Sequence, residues 1–151
     1  YGFRKNHSTQ HAIIDIVDKI CKNMESKKFT CGIFIDLKKV FDTVDHSILL
    51  TKLNHYGISG LIHDWFNSYL SDRSQTTSIG NCTSEVFCCS YGVPQGSVLG
   101  PLLFLLYIND ITSSSDKFEF CLFADDTSML YPHCDIDALE RIVNDELRKV
   151  L

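Results

Sequence analysis

The sequence predicts an α+β fold in which helices pack behind an antiparallel sheet. Two stretches, residues 8–24 and 136–150, repeat apolar residues at helical spacing. Two short apolar runs of strand length instead end in aspartate, at Asp36 and at Asp125-Asp126. The inferred order is helix, strand, two helices, strands, helix, hairpin, helix. It lacks the regular strand–helix alternation of a parallel sheet.

Taken from the start, Ala12, Ile13, Ile16, Val17, Ile20 and Met24 form one stripe of an amphipathic helix, with Asp15, Asp18, Lys19 and Lys22 opposite. Ser8 or Thr9 is placed to cap its first turn. Phe29 to Ile35 is aromatic and β-branched, the composition of a strand, and Asp36 ends it. A helix from about Asp45 to Tyr56 turns Ile48, Leu49 and Leu53 inward, and Gly57 falls just past its end. A second helix after Ser59 shows Leu61, Ile62, Trp65, Phe66 and Tyr69 as its apolar face.

Arg73 to Tyr91 is polar and rich in Ser, Thr and Gly, which predicts one or two exposed strands joined at Gly80-Asn81. The glycine-rich loop Gly92-Val93-Pro94-Gln95-Gly96 leads into a buried helix that runs to about Asn109. After a connector over 112–116 comes the aspartate hairpin. Ile136, Leu139, Ile142, Val143, Leu147 and Val150 then mark the last helix.

The 151 residues are 44% hydrophobic and 22% charged, a balance that excludes a disordered chain. Seven cysteines carry no C-x-x-C spacing, which argues against a structural zinc site and a disulfide framework and predicts an intracellular protein with no disulfide-linked partner. The longest apolar run, Leu102 to Ile108, is far short of the roughly 20 residues that cross a bilayer, so no membrane association is expected. Net charge is −5, unevenly spread: residues 1–80 hold ten Lys/Arg against eight Asp/Glu, and residues 81–151 four against eleven. An acidic half suits a metal better than a phosphate.

Asp36, Asp125 and Asp126 are the candidate site. An Asp-Asp pair by itself is ordinary turn chemistry. Yet if the two strands that end in these aspartates are neighbours in one sheet, three carboxylates converge at one edge. They would repel one another unless divalent cations bind. Adjacent strand residues point to opposite faces, so a turn is also needed to bring Asp125 and Asp126 to one place. Two Mg²⁺ ions bridged by carboxylates are a device for activating a hydroxyl nucleophile and stabilising a phosphate leaving group. The Pro94-Gln95-Gly96 loop permits close backbone approach to a ligand and offers one neutral donor–acceptor side chain.

Three motifs make the pattern specific: Asp-x-x-Lys-x-Phe-Asp-Thr-Val-Asp-His from Asp36, Gly-Val-Pro-Gln-Gly-Ser-x-Leu-Gly-Pro from Gly92, and Phe-Ala-Asp-Asp-Thr from Phe123. In this order they resemble the core motifs of reverse transcriptases, in particular those of jockey-like non-LTR retrotransposons. Tyr1-Gly2-Phe3-Arg4 with His7-Ser8-Thr9 resembles the segment just upstream in that family.

The resemblance implies a polymerase palm, a ferredoxin-like antiparallel sheet with helices packed on one face, plus part of the fingers. It divides the chain into a fingers/palm junction at 1–30 and palm at 31–151, with the upstream fingers and downstream thumb absent. The implied activity is RNA-templated DNA synthesis from dNTPs on a DNA primer; the alternative is an inactive, truncated retroelement remnant. Two Mg²⁺, with Mn²⁺ as a substitute, are the implied cofactors. By the same resemblance, Asp36 and Asp125 match the principal metal ligands, Asp126 a lesser one, and the Leu37 backbone carbonyl a contact to the second ion. Phe41 matches the bulky residue that excludes a 2′-hydroxyl, although ordinary packing explains its spacing equally well. Pro94, Gln95 and Gly96 match the loop against the incoming nucleotide and template base. Asp42, Asp45 and His46 also fit the motif, but helix entry and local hydrogen bonds account for them. Val40 departs from the family's usual small Ala and crowds the backbone beside Phe41.

Overall fold

The computed structural model describes residue 2 and residues 6–150; Tyr1, Phe3 and Arg4 of the upstream segment lie outside the described residues. The elements are α1 (Thr9–Glu25), β1 (Phe29–Asp36), α2 (His46–His55), α3 (Leu61–Leu70), β2 (Arg73–Gln75), β3 (Ser78–Ile79), β4 (Cys82–Thr83), β5 (Phe87–Cys89), α4 (Leu99–Ile108), β6 (Glu119–Phe123), β7 (Asp126–His133) and α5 (Ile136–Val150), with a 3-10 turn at Asn109–Ser113. Among the described residues the fold is mixed α/β with antiparallel sheets and five helices. The chain divides into two compact units, residues 1–38 with 109–151, and residues 39–108.

The first unit is built on the antiparallel sheet β1-β7-β6. Alternation along the strands gives the sheet two different faces. Cys31, Ile33, Ile35, Phe120, Met129 and Tyr131 lie on one and pack with Phe118 against Leu139, Val143, Leu147 and Val150 of α5. Phe118 meets Phe120 and Tyr131 edge-on, with ring centroids 6.3 and 6.4 Å apart. The opposite face carries Phe34, Asp36, Cys121, Phe123 and Asp126, and α1 lies over it, with Lys19 Nζ 3.7 Å from Glu119. Helices therefore cover both faces of this sheet, which corrects the expectation of helices on one face.

Ser8 is the residue that caps α1, its hydroxyl accepting from the His11 N–H. The predicted α1 stripe is only partly used. Ala12 is buried and Ile16 and Ile20 are half-buried, whereas Ile13, Val17 and Met24 stay exposed. The reason is size: three strands spaced about 4.8 Å apart cover only part of a helix about 25 Å long. A polar clamp ties the connector before β6 to α5. Glu146, with its side chain only 4% exposed, accepts from Ser115 Oγ at 2.6 Å and pairs with Lys149 Nζ at 2.7 Å and Lys117 Nζ at 3.2 Å. The Lys149 bond, then those from Ser115 and Lys117, hold its carboxyl down at about 2.

In the second unit α2 packs on α3 and α4. Asp45 caps α2, accepting from the Ser47 hydroxyl at 2.6 Å and the Ser47 and Ile48 N–H groups at 2.8 and 3.0 Å. The Ser47 hydroxyl first, and then the Ile48 N–H, hold the Asp45 carboxyl below its ordinary range. Leu49 and Leu53 are fully buried, but Ile48 is exposed, against expectation. The α3 face differs too: Leu70 is the buried residue, while Leu61, Ile62 and Trp65 are exposed. The polar 73–91 segment forms one interrupted ribbon, β2 pairing with β5 and β3 with β4 across the Gly80-Asn81 turn. Among the described residues no helix is long and apolar enough to cross a membrane.

Candidate active site

β1 is a run of strand-forming residues that stops at a carboxylate, and its register with β7 sets Asp36 directly opposite Asp126. Phe123 pairs with the same Asp126 across the hairpin, which closes β6 and β7 with the two-residue loop Ala124-Asp125. One residue thus joins all three strands at this edge of the sheet. Opposed Cα atoms in an antiparallel pair lie roughly 4.5–5.5 Å apart, so Asp36 and Asp126 are like charges on one face. Asp125 sits at the second loop position, where strand alternation no longer forces it to the opposite face.

The loop is strained. Ala124 has φ 53°, in the left-handed region, while Asp125 does not. A two-residue hairpin with positive φ at its first position asks for glycine there, and an alanine costs about 1–2 kcal/mol.

Asp36 and Asp126 line one end of a cleft of about 330 Å³ between α1 and the sheet, with Ile13, Ile16, Phe34 and Phe123 along its sides. Among the described residues no lysine, arginine or hydroxyl pairs with Asp36, Asp125 or Asp126. Nor do three His, Cys, Asp or Glu side chains converge closely enough to hold a metal. The expected convergence of three carboxylates is thus cut back to the in-register pair Asp36 and Asp126. Asp125 is next to this pair in the chain but not in the lining of the cleft. The pair's hard oxygens fit Mg²⁺, which keeps waters and completes its shell with substrate phosphates.

Of the remaining candidates, Leu37 follows β1 in the first unit and is half-buried, whereas Phe41, Pro94, Gln95 and Gly96 belong to the second unit. The 41–45 and 91–93 segments strap together: Val93 N–H donates to Phe41 O at 2.6 Å, Gly92 N–H to Val44 O at 2.8 Å, and Asp45 bridges Tyr91. Gly92 has φ 87°, and a Cβ there would lie 2.8 Å from both Asp42 Cα and Phe41 O, so only glycine fits this crossing. His46 Nε2–H donates to Gly92 O at 2.7 Å and Gln95 Nε2 donates to Asp42 Oδ1 at 2.7 Å. Asp42 and His46 therefore fix the loop that carries Pro94, Gln95 and Gly96. Sequence reasoning gave them no such part, although they stand four residues apart in the first motif. Phe41 is half-buried, its ring 4.9 Å from that of Phe104 on α4. Pro94 and Gln95 line a groove of about 820 Å³ together with Arg73, Phe87 and Tyr91.

Within the first unit, paired carboxylates at a sheet edge are a donor set suited to nucleotidyl transfer. The family model described as reverse transcriptase (RNA-dependent DNA polymerase) matches residues 1–150, and the chain belongs to that family. The chain is 33% identical over 147 residues to the probable RNA-directed DNA polymerase from transposon X-element of Drosophila melanogaster, covering 94% of this chain and 16% of that protein. To the probable RNA-directed DNA polymerase from transposon BS of the same species it is 31% identical over 144 residues, covering 87% and 15%. It is also 31% identical over 137 residues to the RNA-directed DNA polymerase from mobile element jockey of that species, covering 86% and 15%. The chain thus spans about one-sixth of the length of these curated relatives, 15–16% in each case.

Proposed function

We propose that this chain is the catalytic part of an RNA-directed DNA polymerase of a jockey-like non-LTR retrotransposon. It would extend a DNA primer with dNTPs along an RNA template, inside the cell. In this reading residues 31–151 form the palm and residues 1–30 its junction with the fingers. The observation that carries the reading is the register of Asp36 with Asp126 at the end of the hairpin that bears Asp125.

Asp36, Asp125 and, more weakly, Asp126 would hold two Mg²⁺ ions, with the Leu37 carbonyl as a further oxygen donor. Bound there, the ions supply activation of the primer 3′-hydroxyl and stabilisation of the pyrophosphate. The chain's own residues do the selecting. Phe41, braced by the Phe104 ring, would exclude a 2′-hydroxyl, and the Pro94-Gln95-Gly96 loop, held by Asp42 and His46, would pack against the nucleotide and template base.

Asp125→Ala in the full-length protein should abolish dNTP incorporation while RNA binding stays nearly intact. Normal incorporation by that variant would sink the metal-ligand assignment. Phe41→Ala should raise ribonucleotide relative to deoxynucleotide incorporation in single-nucleotide assays, and an unchanged ratio would remove Phe41 from its role as a gate.

A further inference from the structure

The turn that carries Asp125 depends on a residue far from it in sequence. Ala124 holds a left-handed φ of 53° at a position where turn chemistry prefers glycine. A non-glycine residue persists in such a conformation only where its surroundings hold it. Gly2 supplies that surrounding. It is buried, and a Cβ built on it would overlap the backbone nitrogen of Ala124 and lie 2.9 Å from Ala124 Cα and 3.1 Å from Ala124 Cβ.

Two of these three neighbours are backbone atoms of the turn, so no side-chain rotation can make room. Gly2 itself has no positive φ, so its conformation does not demand glycine; the space does. Ala124 is bonded to Asp125, and the two-residue loop is closed by the pairing of Phe123 with Asp126. A displacement of the Ala124 backbone is therefore passed directly to both carboxylates.

We propose that Gly2 is a positioning residue for the aspartate hairpin: lacking a side chain, it lets the chain lie against the Ala124 backbone and keeps Asp125 and Asp126 in place. The effect on catalysis rests on the polymerase reading above; the effect on the hairpin does not.

The test compares wild-type and Gly2→Ala full-length protein by amide hydrogen exchange and by single-dNTP incorporation with Mg²⁺. In the variant, amides of 124–126 should exchange about tenfold faster while those of α5 are unchanged. Its kcat should fall on the order of 10²-fold, the scale of a 1 Å misplacement, with the KM for dNTP within about threefold. Unchanged hairpin exchange in the folded variant would overturn the proposal, as would faster exchange shared equally by α5.

If Gly2→Ala does not fold, alanine-methyl labelling of the wild type decides instead. A nuclear Overhauser contact between Gly2 Hα and the Ala124 methyl is expected, and its absence refutes the packing. A wild type that incorporates no dNTP would sink the polymerase reading, and the exchange comparison would still decide the role of Gly2 in the hairpin.

Discussion

The two faces of the β1-β7-β6 sheet come from the same eight- and five-residue strands and do opposite work. One face carries Ile33, Ile35, Phe120 and Met129 against α5, and Met129 is fully buried. On the other, one residue further along each strand, Phe34 is 68% exposed and the carboxylates of Asp36 and Asp126 stand opposite each other. Stability is concentrated on the first face. The second accepts an unfavourable pairing of like charges and a strained turn, arrangements that persist where the rest of a fold supports them. A site at the edge of a well-packed sheet gains precision from the core without being part of it.

Substitutions on the two faces should differ sharply. Met129→Ala removes a side chain with no solvent exposure and should cost about 2–5 kcal/mol, read from the urea midpoint. A loss under about 1 kcal/mol would show that the α5 face is not the stabilising one.

The Glu146 clamp on the α5 side should give a pH signature. Its carboxyl is lowered from 4.5 to about 2 in the folded chain, so the folded state binds its proton less readily than the unfolded state. Its stabilisation is complete above about pH 4.5 and is lost as pH falls towards about 2. The wild-type urea midpoint should fall across that window more steeply than that of Glu146→Gln. Parallel profiles would mean that the clamp contributes nothing.

Phe34→Ser, on the α1 face but 68% exposed, should change stability by no more than about 0.5 kcal/mol, because most of the ring is already in water. A larger loss in the same urea titration would mean that the α1 side also carries core packing.

Much of this was legible in the sequence because it is local. The strand ending at Asp36, the Asp45 cap on α2, the Gly80-Asn81 turn and the two-strand hairpin around Asp125 are each written in a few neighbouring residues. The apolar stripes of α1 and α3 read as buried faces but are largely exposed. Periodicity reports that a helix has an apolar side and cannot report whether another element covers it.

The sequence by itself determined most of the elements, the position of Asp36, Asp125 and Asp126 at or beside strand ends, and the family, since propensity, turn chemistry and motif order are properties of the chain read in line. Only the tertiary structure decided that Asp126 is the residue opposite Asp36, that helices cover both faces of the sheet, that Asp42 and His46 tether the Gln95 loop, and that Gly2 packs on Ala124. Each of these depends on strand register or on contact between residues distant in sequence. Such relations are fixed by packing, and local patterns do not contain them.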